Sequence, residues 1–299
     1  MKYKQTAGNV IFNILNHSFF IVFALLCFFP FYYILINTIS ANDLVATGRV
    51  LLYPKGVHFD NFGRVLSLPG LWQATLVTLA RTFIGTFLSI ICTGFLAFAF
   101  TRQELWRRKL WYRFFIVTMF FSAGLIPWFM TMRLLGLTNN FLAYIIGVIS
   151  VFNMILFKTY IESIPNSLAE SAEVDGAGYL TVFFKILFPI CKPIVATLTI
   201  FTAVGHWNSF MDTLWLMTNE KLFTLQFILY RFLNEATRVA QMIRDAESMG
   251  LTVAPSHFEM TPTSVRMTIT VVVVMPIMCL YPFFQRFFIK GIMIGAIKG

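Results

Sequence analysis

Apolar residues fall in long runs separated by short polar stretches, and six of those runs predict membrane-crossing helices. They cover Phe19 to about Ile39, Leu76–Phe100, about Phe114–Met132, about Phe141–Phe157, Pro189 to about Met217 and about Met267–Phe288. A helix needs roughly 20 apolar residues to cross the bilayer core. Pro127 predicts a kink inside the third run, because a proline within a helix lacks the N–H its turn requires. The first run is longer than a signal-peptide core and ends in Asn37-Thr38-Ile39-Ser40, without a small-residue cleavage site, so it reads as a retained helix. The fold class expected is an all-α membrane protein of six transmembrane helices, one permease-like domain over residues 1–299. Residues 42–72 form a polar loop with Pro54 and Pro69, and Gly136-Leu137-Thr138-Asn139-Asn140 a tight turn. Two polar segments stand out, about 162–187 and about 219–262.

The first of these holds Ile164-Pro165-Asn166-Ser167-Leu168-Ala169-Glu170-Ser171-Ala172-Glu173-Val174-Asp175-Gly176-Ala177-Gly178. Ser167 followed by Glu170 predicts a capping box, in which hydroxyl and carboxylate each accept the other residue's backbone N–H. Asp175-Gly176 supplies the stop, with Gly176 free to take the left-handed conformation that closes a helix. A two-turn helix from Leu168 to Val174 is marginal alone in water. Its small residues Ala169, Ser171 and Ala172 let another surface approach, so the segment reads either as a docking element or as an ordinary acidic loop.

Composition agrees with the pattern. The chain is 58% hydrophobic and 12% charged, against about a quarter charged in soluble domains. The net charge of +10 does not form a nucleic-acid surface, because it is distributed by loop. Lys2, Lys4, the cluster Arg102, Arg107, Arg108, Lys109 and Arg113, then Lys158, Lys185, Lys192, Arg286, Lys290 and Lys298 all fall on one side of a six-span topology. Fewer cations lie on the other side, half of them in the long 219–262 loop, which the positive-inside rule weights weakly. Both termini and the 162–187 loop are therefore expected in the cytoplasm. Cys27, Cys92, Cys191 and Cys279 sit in or beside apolar runs and, like the four histidines, have no metal-ligand spacing.

Catalytic signatures are missing from the sequence. There is no G-x-x-x-x-G-K-[S/T] loop to cradle ATP phosphates, no H-E-x-x-H and no nucleophile elbow. The expectation is a chain that is not an enzyme and carries no cofactor or metal.

Glu170-Ser171-Ala172, then Gly176, then Ile186-Leu187-Phe188-Pro189 resembles the EAA loop of bacterial ABC-importer permeases. That pattern is Glu-Ala-Ala, three residues, Gly, nine residues and Ile-x-Leu-Pro; Ser171 and Phe188 depart from it while keeping size or apolarity. Further stretches are similar to the carbohydrate-uptake permeases of the MalG-like and LplC-like group, the latter tied to uronate-containing oligosaccharides. They are Phe121-Ser122-Ala123-Gly124-Leu125-Ile126-Pro127, Gly205-His206-Trp207-Asn208-Ser209 and Tyr281-Pro282-Phe283-Phe284-Gln285-Arg286-Phe287-Phe288, with Lys290-Gly291 and the 294–299 end. The resemblance implies a permease of the bacterial cytoplasmic membrane, embedded in lipid, paired with a second homologous permease. It implies a dimer of ATPase subunits that bind ATP and magnesium, and an extracytoplasmic solute-binding protein. It also implies that Ser167, Glu170, Ser171, Ala172, Asp175, Gly176 and Ala177 form the helix that couples to the ATPase. The 219–262 loop, around Ser248 to Ser256, would reach the binding protein.

His206, Trp207, Asn208 and Asp212 form a polar cluster in the fifth predicted helix, with Asn208 and Asp212 four apart on one face. Either Trp207 stacks on a sugar while Asn208 bonds its hydroxyls, or Trp207 anchors at the lipid interface and the polar groups satisfy one another. Arg81 and Arg266 each lie a turn or two inside a span: they either snorkel to headgroups or border a path that favours anionic sugar. The competing class is an ion-coupled secondary transporter of a polar solute, disfavoured because no Asp or Glu lies deep in a predicted span.

Overall fold

Long apolar runs become helices because in lipid each backbone N–H and C=O needs a partner within its own segment. The computed structural model of the chain describes residues 7–147, 149–248 and 261–296, and the described residues contain helices and no strand. Two compact units emerge, residues 1–68 with 231–274, and residues 69–230 with 275–299.

In the first unit, α1 (Ala7–Thr38) is apolar all round and almost wholly exposed up to Phe31, as a helix facing lipid or another membrane chain would be. Two short helices, α2 (Asn42–Ala46) and α3 (Asp60–Leu66), fold against its end. Asn61 donates to the Thr38 carbonyl at 3.0 Å and to Asn42 at 3.0 Å, and the Ala41 N–H donates to the Lys55 carbonyl at 2.9 Å. Ile36, Val45 and Val50 fill the small core between them.

The second unit is built around α4 (Leu71–Thr101), a 31-residue helix about 47 Å long. Next come α5 (Arg108–Phe120) and α6 (Leu125–Leu134), bent from each other by 118°. The third predicted span is thus broken, and not at Pro127. The chain opens at 121–124, where Gly124 has φ +82°, and Pro127 sits in the first turn of α6, where its missing N–H costs nothing. The fourth predicted span is corrected too. Phe141–Tyr144 is a single 3-10 turn, and α7 (Val151–Glu162) begins only at the Ser150 cap, whose hydroxyl accepts the Asn153 N–H. The intervening Ile145, Ile146 and Ile149 are β-branched and Gly147 is flexible, so apolarity there does not make a helix.

After α8 (Ser167–Val174) the chain forms one continuous run, α9 (Tyr179–Thr181), a π-helical stretch (Val182–Leu187) and α10 (Phe188–Ile190). Pro189 would crowd the carbonyl four residues back in an ordinary α-helix, and the wider π turn relieves it. The chain then turns 85° into α11 (Lys192–Asn208), whose second residue is Pro193. The fifth predicted span is not continuous either: it stops at Asn208 and resumes as α12 (Met211–Leu216). Two further helices, α13 (Leu225–Ser248) and α14 (Pro262–Ala296), each run from one unit's residues into the other's. The described residues thus contain two uninterrupted helices long and apolar enough to cross a membrane, α1 and α4, and two bent pairs that pass the same test.

The core of this unit lies where α4, α7 and the π stretch meet, through Ala97, Phe98, Met154, Phe157, Val182 and Phe183, with Ala169 of α8 at its edge. Gly94 permits the close approach of α4, since a Cβ there would stand 3.0 Å from the Phe157 ring and 3.4 Å from that of Phe183. Gly94→Val should therefore overpack the core by about 1–3 kcal/mol. We expect a thermal midpoint several degrees lower for the detergent-solubilised variant, by size exclusion after heating, and a smaller drop for Gly94→Ala. An unchanged midpoint in the valine variant would mean that the rings yield freely.

Candidate functional site

Two constellations concern function, one at each end of α4. At the Arg102 end, α8 is the short helix the sequence predicts, but its start differs. Asn166 has helical φ and ψ, and its carbonyl accepts the N–H groups of Ala169 and Glu170, both at 3.0 Å. The capping box is therefore absent: Ser167 is already the first helical residue, and no side chain caps the start. Pro165 cannot donate, so the turn begins on Asn166 and passes the serine's capping position by one residue. The stop is as expected. Gly176 has φ +84°, its N–H donates to the Glu173 carbonyl at 3.0 Å, and the Ala177 N–H reaches back to the Ala172 carbonyl at 2.9 Å. This is a Schellman closure, and Ala172 and Ala177 both pack against the core.

The face of α8 turned from the core is exposed. Ala169 is buried, whereas Leu168 and Val174 are 46% and 87% exposed, and Ser167, Glu170, Ser171 and Asp175 are exposed with them. Ser171 spends its hydroxyl on the Ser167 carbonyl at 2.7 Å. The sequence reading missed Glu173, which accepts from Arg102 at 2.7 Å while that guanidinium lies 4.6 Å from the Phe98 ring centre. The pair ties α8 to the end of α4. Its members are 71 residues apart, and the available signal was an acidic loop on the same predicted side as the basic 102–113 segment. A cavity of about 580 Å³ lies beside them, lined among others by Arg102, Arg108, Glu170 and Glu173.

Nearer the Leu71 end, the structure brings together Arg81, His206 and Asp212 and adds residues that the sequence did not suggest. Arg81 is 2% exposed. Its guanidinium forms a two-point pair with the Asp212 carboxylate and donates to the Ser209 carbonyl at 3.2 Å, the plane lying 4.4 Å from the Tyr144 ring centre. Snorkelling is thereby excluded for Arg81, and so is a free cation on a path. The expected sharing of a face by Asn208 and Asp212 also fails, because the helix breaks between them. Asp212 instead sits in the first turn of α12 and accepts from the Ser209 hydroxyl at 3.1 Å and the Thr213 N–H at 3.0 Å. Trp207 is buried and 4% exposed, Asn208 is exposed, and neither lines the adjoining cavity.

That cavity measures about 610 Å³. His206 reaches its wall because residue 85 is glycine, where a Cβ would stand 2.7 Å from the imidazole Nε2. Asn153 and Thr202 both line it, and Asn153 donates to Thr202 at 3.3 Å. Tyr144 bonds Thr213 at 3.0 Å and donates to the Leu222 carbonyl at 2.7 Å, and Asn139, at φ +53°, accepts from the Thr218 and Asn219 N–H groups. Arg266 belongs to the other unit, exposed on α14. The stretch expected to reach a binding protein, Ser248 to Ser256, lies outside the described residues from 249 on.

An apolar helical chain with an exposed two-turn helix at one end of its core and a polar cavity near the other defines a membrane transport subunit. Residues 6–294 match the family described as binding-protein-dependent transport system inner membrane component, and the chain belongs to that family. It is therefore an inner-membrane permease component of an ABC transport system, which removes the ion-coupled alternative. Among its relatives is the polygalacturonan/rhamnogalacturonan transport system permease protein YtcP of Bacillus subtilis (strain 168). It is 30% identical over 292 residues, 97% of this chain and 99% of the relative. Protein LplC of the same organism is 29% identical, over 99% of this chain and 97% of its own. A crystal structure of a bacterial ABC transporter involved in the import of the acidic polysaccharide alginate contains a similar chain. It has a TM-score of 0.82 and 30% identity, with 95% of this chain and 99% of that chain covered.

The left-handed residue at the end of α8 generates a sharp expectation. Gly176→Val forces a β-branched residue to φ +84° although the space around it is open, whereas Asn tolerates that region. In the assembled transporter the valine variant should insert normally but lose most substrate-stimulated ATP hydrolysis, and Gly176→Asn should retain most of it. Equal stimulated hydrolysis in both would refute a role for this closure.

Proposed function

We propose that the chain is one of two permease subunits of an ATP-driven importer that carries uronate-containing oligosaccharides delivered by a solute-binding protein. The observation that carries this reading is α8, a short helix closed by Gly176 and held to the core by Ala169, with Leu168 and Val174 left exposed. Such a face suits the cleft of a separate ATPase subunit. On this reading Ser167, Glu170, Ser171, Ala172, Asp175, Gly176 and Ala177 form the coupling element, and Glu173 with Arg102 transmits its position to α4. ATP and magnesium bind on the ATPase dimer and not on this chain. Residues 1–299 act as a single six-span permease domain with both termini in the cytoplasm, and the 219–262 segment faces the binding protein.

The acidic substrate class is supported from two directions. One relative is named for polygalacturonan and rhamnogalacturonan transport, and the similar solved chain comes from an alginate importer. All three polymers carry uronate carboxylates.

The test is reconstitution in proteoliposomes with the second permease, the ATPase and the binding protein. We expect uptake of an acidic oligosaccharide that requires ATP and every partner, and slower uptake of a neutral one of equal length. Uptake by this chain alone, or without ATP, would contradict the importer reading; equal rates for the two sugars would contradict the substrate class.

A further inference from the structure

Buried ionic groups near a transport path invite the reading that they attract an oppositely charged solute. Here the geometry argues the reverse. The charged side chains lining the 610 Å³ cavity are Arg81 and Asp212, and they are joined to each other. Separating them to receive a substrate carboxylate would place the half-buried Asp212, unpaired, beside a second carboxylate, and like charges at that separation repel. The cavity is thus electrically balanced.

What remains is suited to hydroxyl groups. Asn153, Thr202, Ser89 and His206 supply neutral donors and acceptors on the wall. The wall also includes the aromatic residues Trp128, Phe152 and Phe201. Hydroxyl partners together with aromatic side chains suit a pyranose ring, which carries hydroxyls at its edge and apolar C–H faces. The volume falls within the roughly 300–1,000 Å³ of small-molecule pockets.

We propose that this cavity is a sugar subsite of the present subunit that reads hydroxyls and ring faces and is indifferent to the carboxylate. The proposal rests on the oligosaccharide-importer reading and deepens it. It assigns Trp128, Asn153, Thr202 and His206 to the sugar, and makes Arg81 and Asp212 positioning residues that keep the wall neutral. Discrimination for the uronate charge then belongs to the partners.

Gly205 provides a reporter, because it lines the cavity and a Cβ there would meet nothing within 4 Å. The experiment uses the full permease–ATPase complex in nanodiscs, with Cys27, Cys92, Cys191 and Cys279 replaced and Gly205→Cys introduced. The rate of maleimide labelling is measured with a galacturonate trisaccharide and with its methyl ester, which keeps the hydroxyls and removes the charge. Both sugars should slow labelling several-fold and to the same degree. Asp212→Asn should free the guanidinium and make the acid form protect about tenfold better than the ester, the worth of one charge-assisted hydrogen bond. Adding Arg81→Gln should restore equality. No protection by either sugar, or protection by the acid form alone without the Asp212 change, would overturn the proposal. Where the charge variants fail to assemble, the comparison of the two sugars on the reporter alone decides. The readout is binding, so a failure of ATP-dependent uptake would strike the importer reading, whereas uptake without protection would strike the subsite alone.

Discussion

The second unit depends on one arrangement, the guanidinium of Arg81 held between a carboxylate and a broken helix. Chain irregularity at membrane depth is tolerated only where other groups satisfy the freed backbone. At 209–210 the fifth apolar run opens, and Arg81 donates to the Ser209 carbonyl while pairing with Asp212, which in turn accepts the Thr213 N–H. One cation from α4 therefore bridges the end of α11 to the start of α12. Through Thr213 the same set reaches Tyr144 and Thr224, and separately the Leu225 N–H donates to Thr78 of α4. Arg81, Tyr144, Ser209 and Asp212 of this brace all line the cavity.

At the other end of α4 the constraint is packing. Gly94 lets α4 approach α7 and the π stretch, Phe183 fills the junction, and Ala169 seats α8 on it. The Arg102–Glu173 pair is partly exposed, and such pairs contribute at most about 1 kcal/mol. Its value is positional: it fixes the orientation of a two-turn helix that cannot hold itself. A displacement of α8 therefore bears directly on the end of α4, whose opposite half carries Arg81.

Much of this was legible in the residues. Asp175-Gly176 marked the closure of α8 because few other residues accept φ +84°, and the apolar run from Leu76 to Phe100 lies wholly within α4. The EAA-type loop pointed to the family that residues 6–294 match. Apolar length alone misled at 141–157, where β-branched residues around Gly147 and the Ser150 cap start the helix late. It misled again at 209–210, since a break braced by a distant arginine leaves no local signature. The partner of Arg81 is 131 residues away, and that of Glu173 is 71, separations at which charge pairing cannot be read from spacing. Trp207 reads as a sugar platform only until its burial is known.

The central claim is that Arg81 and Asp212 act as one unit bracing the broken helix. A double-mutant cycle on thermal unfolding of the assembled transporter tests it most directly. Arg81→Gln and Asp212→Asn should each lower the midpoint by several degrees, and the double variant should fall no further than the worse single one. Additive losses in the double variant would mean that the two residues act separately, and would contradict the account.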